Sequence, residues 1–259
     1  MTKLVTLTSD WHNSDYYSGA VKASILSKIA DVNFIDISNS IQTFNHIQAA
    51  FILKSVYNKF PAGTIHIFAV NSELDDNEHF AVAKYEEQYF IANDNGSLGL
   101  IFDNKPEIVV KPDTGNNYTG STFPELSVFC DIVSFILKNG DIKEIGNSLP
   151  DVVRKPRLLP QIDKNEINAT IIYIDSYQNA ITNITKDIFD KYISGKNFLL
   201  SIENSSIKIN SISNSYKDVE TGSILCLFNS LDLLEIAIRD AKLCKLLNLS
   251  TKLQVRIKF

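Results

Sequence analysis

The sequence predicts a two-part α/β protein: an N-terminal α/β domain with a mostly parallel central sheet, then a smaller C-terminal β-barrel-like domain. Three observations predict it. Short apolar runs alternate with helix-spaced apolar positions from Lys3 to Val70, the pattern of βαβ units. Pro150, Pro156 and Pro160 fall within eleven residues, and proline interrupts both helix and central strand. Beyond them come short β-like segments at regular spacing, the texture of a small β domain. The expected division is residues 1–150 for the α/β domain, 151–160 for a Pro-rich linker and 161–259 for the β domain.

The elements follow in order. Lys3 to Thr8 reads as a strand. Tyr17 to Ile29 spaces Ala20, Val21, Ile25 and Ile29 as one helical face. Val32 to Asp36 is a second strand and Ile47 to Tyr57 an apolar-rich helix, ended by the Phe60-Pro61-Ala62-Gly63 turn. Thr64 to Val70 is a buried strand. After an acidic polar loop, Asn71 to Glu78, Phe80 to Tyr85 and Gln88 to Ala92 form a hairpin joined at Glu86-Glu87. Asn93 to Gly96 is a turn, Ser97 to Phe102 a helical turn and Glu107 to Lys111 a strand. Ser121 to Leu137 is helical, with Phe123, Val128, Phe129, Ile132, Phe135 and Ile136 on its apolar side. In the second domain the expected strands are Glu166 to Asp175, Phe198 to Glu203, Ser206 to Asn210, Ser223 to Phe228, Leu234 to Ile238 and Leu253 to Lys258. Ala241 to Leu247 is its one expected helix.

Composition narrows the function. The 259 residues are 44% hydrophobic and carry a net charge of -5, with no long run of Lys or Arg. That pattern argues against a nucleic-acid surface. No window is apolar enough to span a bilayer, and the N-terminus MTKLVTLTSD has no secretory apolar core. The expectation is a cytoplasmic protein without membrane or nucleic-acid partners. Cys130, Cys226 and Cys244 are odd in number and lie in apolar contexts, so they read as buried free thiols. His12 and His46 fall on loops at the expected ligand edge, while His66 alternates inside a strand. None has metal-ligand spacing, and no metal or cofactor is expected. There is no G-x-S-x-G, P-loop or Gly-rich dinucleotide fingerprint.

Two stretches carry chemistry. In an open α/β sheet, ligands bind beyond the carboxyl ends of the strands. Asp10 stands where the first such loop begins, and a carboxylate there can accept hydrogen bonds from a ribose diol. Equally, Asp10 or Asp15 can cap the following helix. The second stretch is Tyr173 to Asn183, which sets Asp175, Tyr177, Asn179 and Asn183 around a tight turn. Asn can donate and accept at once, matching an adenine edge, and Asp can meet an ammonium group. Ordinary turn chemistry uses the same residues.

Six ordered segments resemble the S-adenosylmethionine hydroxide adenosyltransferase family, relatives of the fluorinase and chlorinase enzymes. They are Thr8 to His12 with Asp15 to Gly19 (T-T-D-F-G and D-x-Y-x-G), Asp36 to Ile41 (D-I-x-H-x-I), Phe60 to His66 (F-P-x-G-T-[IV]-H), Tyr89 to Gly96 (Y-F-x-x-x-D-N-G), Ile174 to Asn183 (I-D-x-F-G-N-x-x-T-N) and Ser230 to Ala237 (S-x-x-x-L-E-I-A). The resemblance implies a homotrimer that binds a small nucleoside ligand between one subunit's first domain and its neighbour's second. It implies that Asp10 holds the ribose diol and that Phe44 packs against the sugar or methionine chain. Asn179 then reads adenine, Asp175 and Ser230 meet the amino-acid end, and Asn71 and Phe123 line the substrate.

The departures bear on chemistry. Hydrolysing members carry D-P-G-V-G after the third strand, an Arg seven residues after that Asp, and a His in S-T-F-H-G-R-D. Those Asp, Arg and His residues are associated with activating water for attack on the ribose C5′. Here the positions hold Asn71, Glu78 and Pro124. Glu73 and Asp75 replace two loop glycines, and Glu125, Leu126 and Ser127 replace Gly-Arg-Asp. Asn71 cannot take a proton as a carboxylate can, Pro124 has no acid or base, and Glu78 inverts the local charge. Such a loss typically costs about 10²–10⁴-fold. Glu73, Asp75, Asp76 or Glu78 is either a new base or part of a solvated acidic loop. An acidic loop also disfavours halide chemistry. Two readings stay open: an enzyme that hydrolyses S-adenosylmethionine to adenosine and methionine, and a catalytically impaired trimer that binds the nucleoside in a binding or regulatory role.

Overall fold

The computed structural model describes residues 3–74, 78–114 and 121–259. The chain divides into two compact units, Met1–Pro156 and Arg157–Phe259.

The first unit is a mixed seven-stranded sheet with helices on both faces. Its strands are β1 (Lys3–Ser9), β2 (Val32–Ser38), β3 (Ile65–Ala69), β4 (Phe80–Tyr85), β5 (Gln88–Asn93), β6 (Ile108–Pro112) and β7 (Gly146–Ser148), in the order β2-β1-β3-β5-β4-β6-β7. The first four in that order run parallel and the rest antiparallel. Alternation along the strands builds two cores. Val5, Leu7, Ile67, Val82 and Ile91 face α1 (Tyr17–Lys28) and α4 (Cys130–Leu137), with Ile25 and Phe129. Phe68, Ala81, Phe90 and Ala92 face α2 (His46–Lys54) and α3 (Ser97–Ile101), with Leu53 and Phe102. Burial on both faces is why β3 reads as a continuous apolar run.

Several local features differ from the sequence reading. The α2 helix begins at His46, not Ile47, because Asn45 caps it by accepting from the Gln48 N–H; His46 is therefore helical rather than in a loop. The region read as a helix from Ser121 starts only after Pro124, with a π-helical turn at Glu125–Phe129 that passes into α4. A ring-locked φ favours Pro at a helix entry. Neither Asp10 nor Asp15 caps α1: Tyr16 precedes it and supplies no side-chain cap. Asp75 and Asp76 lie outside the described residues.

The second unit is an antiparallel, nearly closed barrel. Its strands are β8 (Gln161–Ile162), β9 (Glu166–Ile174), β10 (Ala180–Thr185), β11 (Leu199–Ile202), β12 (Lys208–Ile209), β13 (Ile224–Phe228), β14 (Leu233–Ile238) and β15 (Gln254–Lys258). The path is β12-β11-β15-β9-β10-β14-β13, with β8 beside β9. The Ser213 N–H donates to the Cys226 carbonyl at 2.8 Å and ties the chain after β12 to β13. Ile171, Leu200, Ile236, Val255 and Ile257 fill the interior. Three elements go beyond the sequence reading: the short β8, β10, whose residues read as turn chemistry, and α5 (Lys186–Tyr192). Besides α6 (Leu243–Leu246), the unit thus has a second helix, which Thr185 caps by accepting from the Ile188 N–H. All three cysteines are free and buried. Burial pushes the thiols of Cys226 and Cys244 up to about 12 and about 11.

Candidate functional site

In the first unit the candidate residues gather at the carboxyl edge of the parallel strands, because register puts them there. Thr8 pairs with Ser38 of β2 and Phe68 of β3, and Ser9 pairs with Ala69. Asp10 and Asn71 therefore leave adjacent strands at the same end. Each of the loops after β1, β2 and β3 holds a non-glycine residue in the left-handed region: His12 at φ 60°, Phe44 at φ 63° and Asn71 at φ 52°. Such backbone conformations are costly for side-chain-bearing residues and concentrate at functional sites.

Asp10 is held from across the edge. Its Oδ2 accepts from the Phe44 N–H at 2.8 Å. The neighbouring Ser9 hydroxyl donates to Asn39 Oδ1 at 2.7 Å, and the His12 N–H donates to the Asn39 carbonyl at 2.7 Å. The loops after β1 and β2 thus lock each other, and one Asp10 carboxylate oxygen makes no described bond to the protein. Phe44 is 69% exposed.

Asn71 contributes backbone rather than side chain: its carbonyl accepts from the Nδ2 groups of Asn93 and Asn95, each at 3.4 Å. Asn93 Nδ2 also donates to Glu78 Oε2 at 2.7 Å and to the Glu73 carbonyl at 3.1 Å. Glu78 is thereby anchored to the end of β5. At the next turn Gly96 sits at φ 94°, and the Lys155 side chain lies so close over it that a Cβ would be 2.6 Å away. Burial and Lys155 lower the His46 pKa. Thr8 Oγ1 and Asn93 Oδ1 are buried with no hydrogen-bond partner among the described residues.

Phe123 packs edge-on against Trp11 and Tyr17, with centroids 5.4 and 5.1 Å apart. Next to it, Pro124 is buried, and Glu125 is only 3% exposed. Burial pushes the Glu125 carboxyl up, and the Asp10 carboxylate raises it further; the buried Ser72 hydroxyl has no hydrogen-bond partner among the described residues. The sequence reading passed Glu125 over, treating it only as a replacement for a glycine. The available signal was an acid set directly before the apolar run Val128, Phe129, Cys130, Ile132, Val133, a place where only solvent or function would hold a charge.

His66 lies elsewhere, inside the sheet. Its Nδ1 is 2.7 Å from Thr6 Oγ1, its Nε2 is 2.5 Å from Gln88 Oε1, and its ring stacks on Phe90. Burial drives its pKa down to about 4, opposed by the Gln88 contact. It is a structural histidine. Among the described residues no group of three or more His, Cys, Asp or Glu could hold a metal ion. Among the same residues, no helix is long and apolar enough to cross a membrane.

In the second unit, Asp175 and Asn179 close the β9–β10 turn on each other. Asp175 Oδ1 accepts from the Asn179 N–H at 2.8 Å, and Oδ2 accepts from Asn179 Nδ2 at 3.2 Å. Gln178 between them sits at φ 68°, and Tyr177 is 75% exposed. One amide hydrogen and the Oδ1 of the buried Asn179 are left over. Ser230 is exposed in the β13–β14 turn, whose Asn229 Oδ1 accepts from the Leu231 and Leu233 N–H groups. Asn229 also donates to the buried Glu235, which accepts from the Tyr216 hydroxyl at 2.5 Å. Burial raises the Tyr216 pKa first; the bond to Glu235 and the charges of Glu235 and Asp175 add to it.

Comparison with known proteins adds a lineage. Residues 5–146 match the SAM hydroxide adenosyltransferase N-terminal domain, and residues 169–256 match the C-terminal domain of the same family. A protein of Methanocaldococcus jannaschii named (R)-S-adenosyl-L-methionine hydrolase is 28% identical over 254 residues, spanning 95% of this chain and 92% of its own. Among solved structures, an uncharacterized conserved protein from Thermotoga maritima is similar with a TM-score of 0.88 at 22% identity. It covers 99% of this chain and 100% of its own. A conserved hypothetical protein from Thermus thermophilus gives 0.78 at 18% identity, covering 98% and 99%. At those identities the two structures speak to the fold alone.

Proposed function

The chain belongs to the SAM hydroxide adenosyltransferase family, and from that premise we propose that it binds S-adenosylmethionine and hydrolyses it to adenosine and methionine. Water attacks the ribose C5′, a C5′–O bond forms, and the C5′–S bond breaks with its electron pair left on sulfur. The observation that carries the reading is Asp10, fixed by the Phe44 N–H at the end of β1 with one carboxylate oxygen unspent, within a segment that matches the family's opening motif. In this reading the Asp10 carboxylate accepts from the ribose diol, and the exposed Phe44 ring packs on the ligand. Phe123 and the Asn71 backbone border the reacting end. Asn179 offers its remaining amide atoms to adenine, while Asp175 and Ser230 take the amino-acid end. The active form is a homotrimer in which neighbouring subunits complete each site. Net charge of -5 leaves nucleic acid out of the reading.

The test is incubation of the purified protein with S-adenosylmethionine, followed by chromatography for adenosine and methionine, beside a no-protein blank and Asp10→Ala. Adenosine above the blank is expected. A hydrogen bond to a charged group contributes about 1.5–3 kcal/mol, so Asp10→Ala should lower kcat/KM by roughly 10- to 100-fold or more. Unchanged turnover in the variant would remove Asp10 from the site. The second reading, a catalytically impaired binder, is favoured by Asn71, Glu78 and Pro124 at the water-activating positions. Calorimetric binding of S-adenosylmethionine with no adenosine above the blank would select it.

A further inference from the structure

We propose that Glu125 is the general base of this chain, taking the proton from the water that attacks the ribose C5′. The inference rests on the hydrolase reading above and supplies the group that reading lacks. Asn71 and Pro124 cannot accept a proton, and Glu78 is tied to Asn93 Nδ2 at 2.7 Å. Glu125 is the first residue of the π-helical turn Glu125–Phe129, a rare geometry that is frequent at functional sites. It is 3% exposed, and among the described residues no Lys, Arg or His makes an ion pair with it. A buried carboxyl without a cation is not kept for stability, because ionising it there is costly.

Its setting is that of a base rather than of a helix-start decoration. An acidic residue serving only the helix dipole does so equally well in solvent. Glu125 instead lies two residues past Phe123, whose ring packs on Trp11 and Tyr17, and it feels the Asp10 carboxylate on the loop after β1. The Trp11–Phe123 contact sets the turn beside the loop after β1, at the sheet edge where Asp10 is assigned the ribose. The two carboxyls then divide the work. Asp10, half-buried and bonded to the Phe44 N–H, binds; Glu125, dry and pushed up by burial, titrates nearer to neutral pH, where a general base is most effective. The other titratable groups that feel it are Asp10 and Cys130, at the start of α4, whose thiol burial keeps protonated. In the step, a water proton passes to the Glu125 carboxylate as the water oxygen bonds C5′ and sulfur leaves with its electron pair. Release of that proton to solvent restores the carboxylate.

The experiment measures kcat and KM of the full-length protein for S-adenosylmethionine from pH 5 to pH 9, with Glu125→Gln, and Glu125→Ala with and without added formate. Wild-type kcat should fall towards acid through a value above the ordinary carboxylate range. Glu125→Gln should lose about 10²–10⁴-fold in kcat with KM within a few-fold, and its acid limb should vanish. Formate should restore part of the Glu125→Ala rate. Glu125 is raised in the fold, so the stability it contributes is present at low pH and lost as pH rises through the folded value. Glu125→Gln should therefore be as stable as wild type or more so at pH 8, whereas a purely structural Glu125 would leave it less stable. An active wild type with a flat acid profile, or an equally active Glu125→Gln, overturns the assignment of Glu125 alone. A wild type that makes no adenosine overturns the hydrolase reading, and the base falls with it.

Discussion

Phe44 shows how a binding edge can be built at a cost to stability. Its φ of 63° is a conformation that costs a β-carbon-bearing residue roughly 1–2 kcal/mol, and a ring 69% exposed recovers little by burial. Phe44→Gly is expected to relieve the strain. The gain, less the extra freedom of glycine in the unfolded chain, should raise stability by up to about 1 kcal/mol while S-adenosylmethionine binding weakens. Paired urea melts and calorimetry check both directions, and a variant that loses stability would show that the ring is structural. Asp10 was legible in the sequence as a loop acid at a strand end. Its partner was not, because the Phe44 N–H lies 34 residues along the chain and arrives only through the β1–β2 register.

At the scale of the element, the β1–β3–β5 ladder carries a buried polar chain: Thr6, His66 and Gln88, with Gln88 Nε2 donating onward to the Phe60 carbonyl at 3.4 Å. The fold depresses the His66 pKa from 6.5 to about 4. Its ring is neutral in both folded and unfolded chains above pH 6.5, so its contribution is full there. It is lost as pH falls from 6.5 towards 4, because the unfolded chain takes the proton first. At about 1.4 kcal/mol per pH unit the window is worth roughly 3 kcal/mol. His66→Asn should be less stable at pH 7, and the gap to wild type should narrow by that order between pH 6.5 and pH 4 in denaturant melts. The hairpin beside it is instructive too. Glu86 and Glu87 both adopt positive φ, at 48° and 61°, as a two-residue turn of this kind requires. The sequence carried no Asn-Gly signal; strand pairing of Tyr85 with Gln88 imposes the turn.

For the whole molecule, the division into a three-layer unit and a barrel follows from two strand chemistries. Parallel strands covered on both faces demand βαβ crossovers, while short antiparallel strands close on themselves. In solution the proposed trimer predicts a light-scattering mass of three times 29.0 kDa; a monomer would remove the shared site. The α5 helix was missed in the sequence because its seven residues are too few to show a period, although Thr185 ahead of Asp187 was a usable start signal. The β10 strand was hidden because Thr182 and Asn183 are polar yet buried, the Thr182 hydroxyl donating to the Leu234 carbonyl and Asn183 Nδ2 to the Leu158 carbonyl.

Likeness to the family's motifs exposed the loss of the usual water-activating residues; by itself the sequence determined the fold class, the order of the major elements and the apolar setting of the cysteines. These are properties of local composition and period, which the backbone reads residue by residue. Only the tertiary structure decided that Asp10 holds a neighbouring loop instead of capping α1, that His12, Phe44 and Asn71 share one strained edge, and that Glu125 is buried. Each depends on strand register and on helix docking, which join residues tens to more than a hundred positions apart, and burial of a charge is defined only once those distant segments have met.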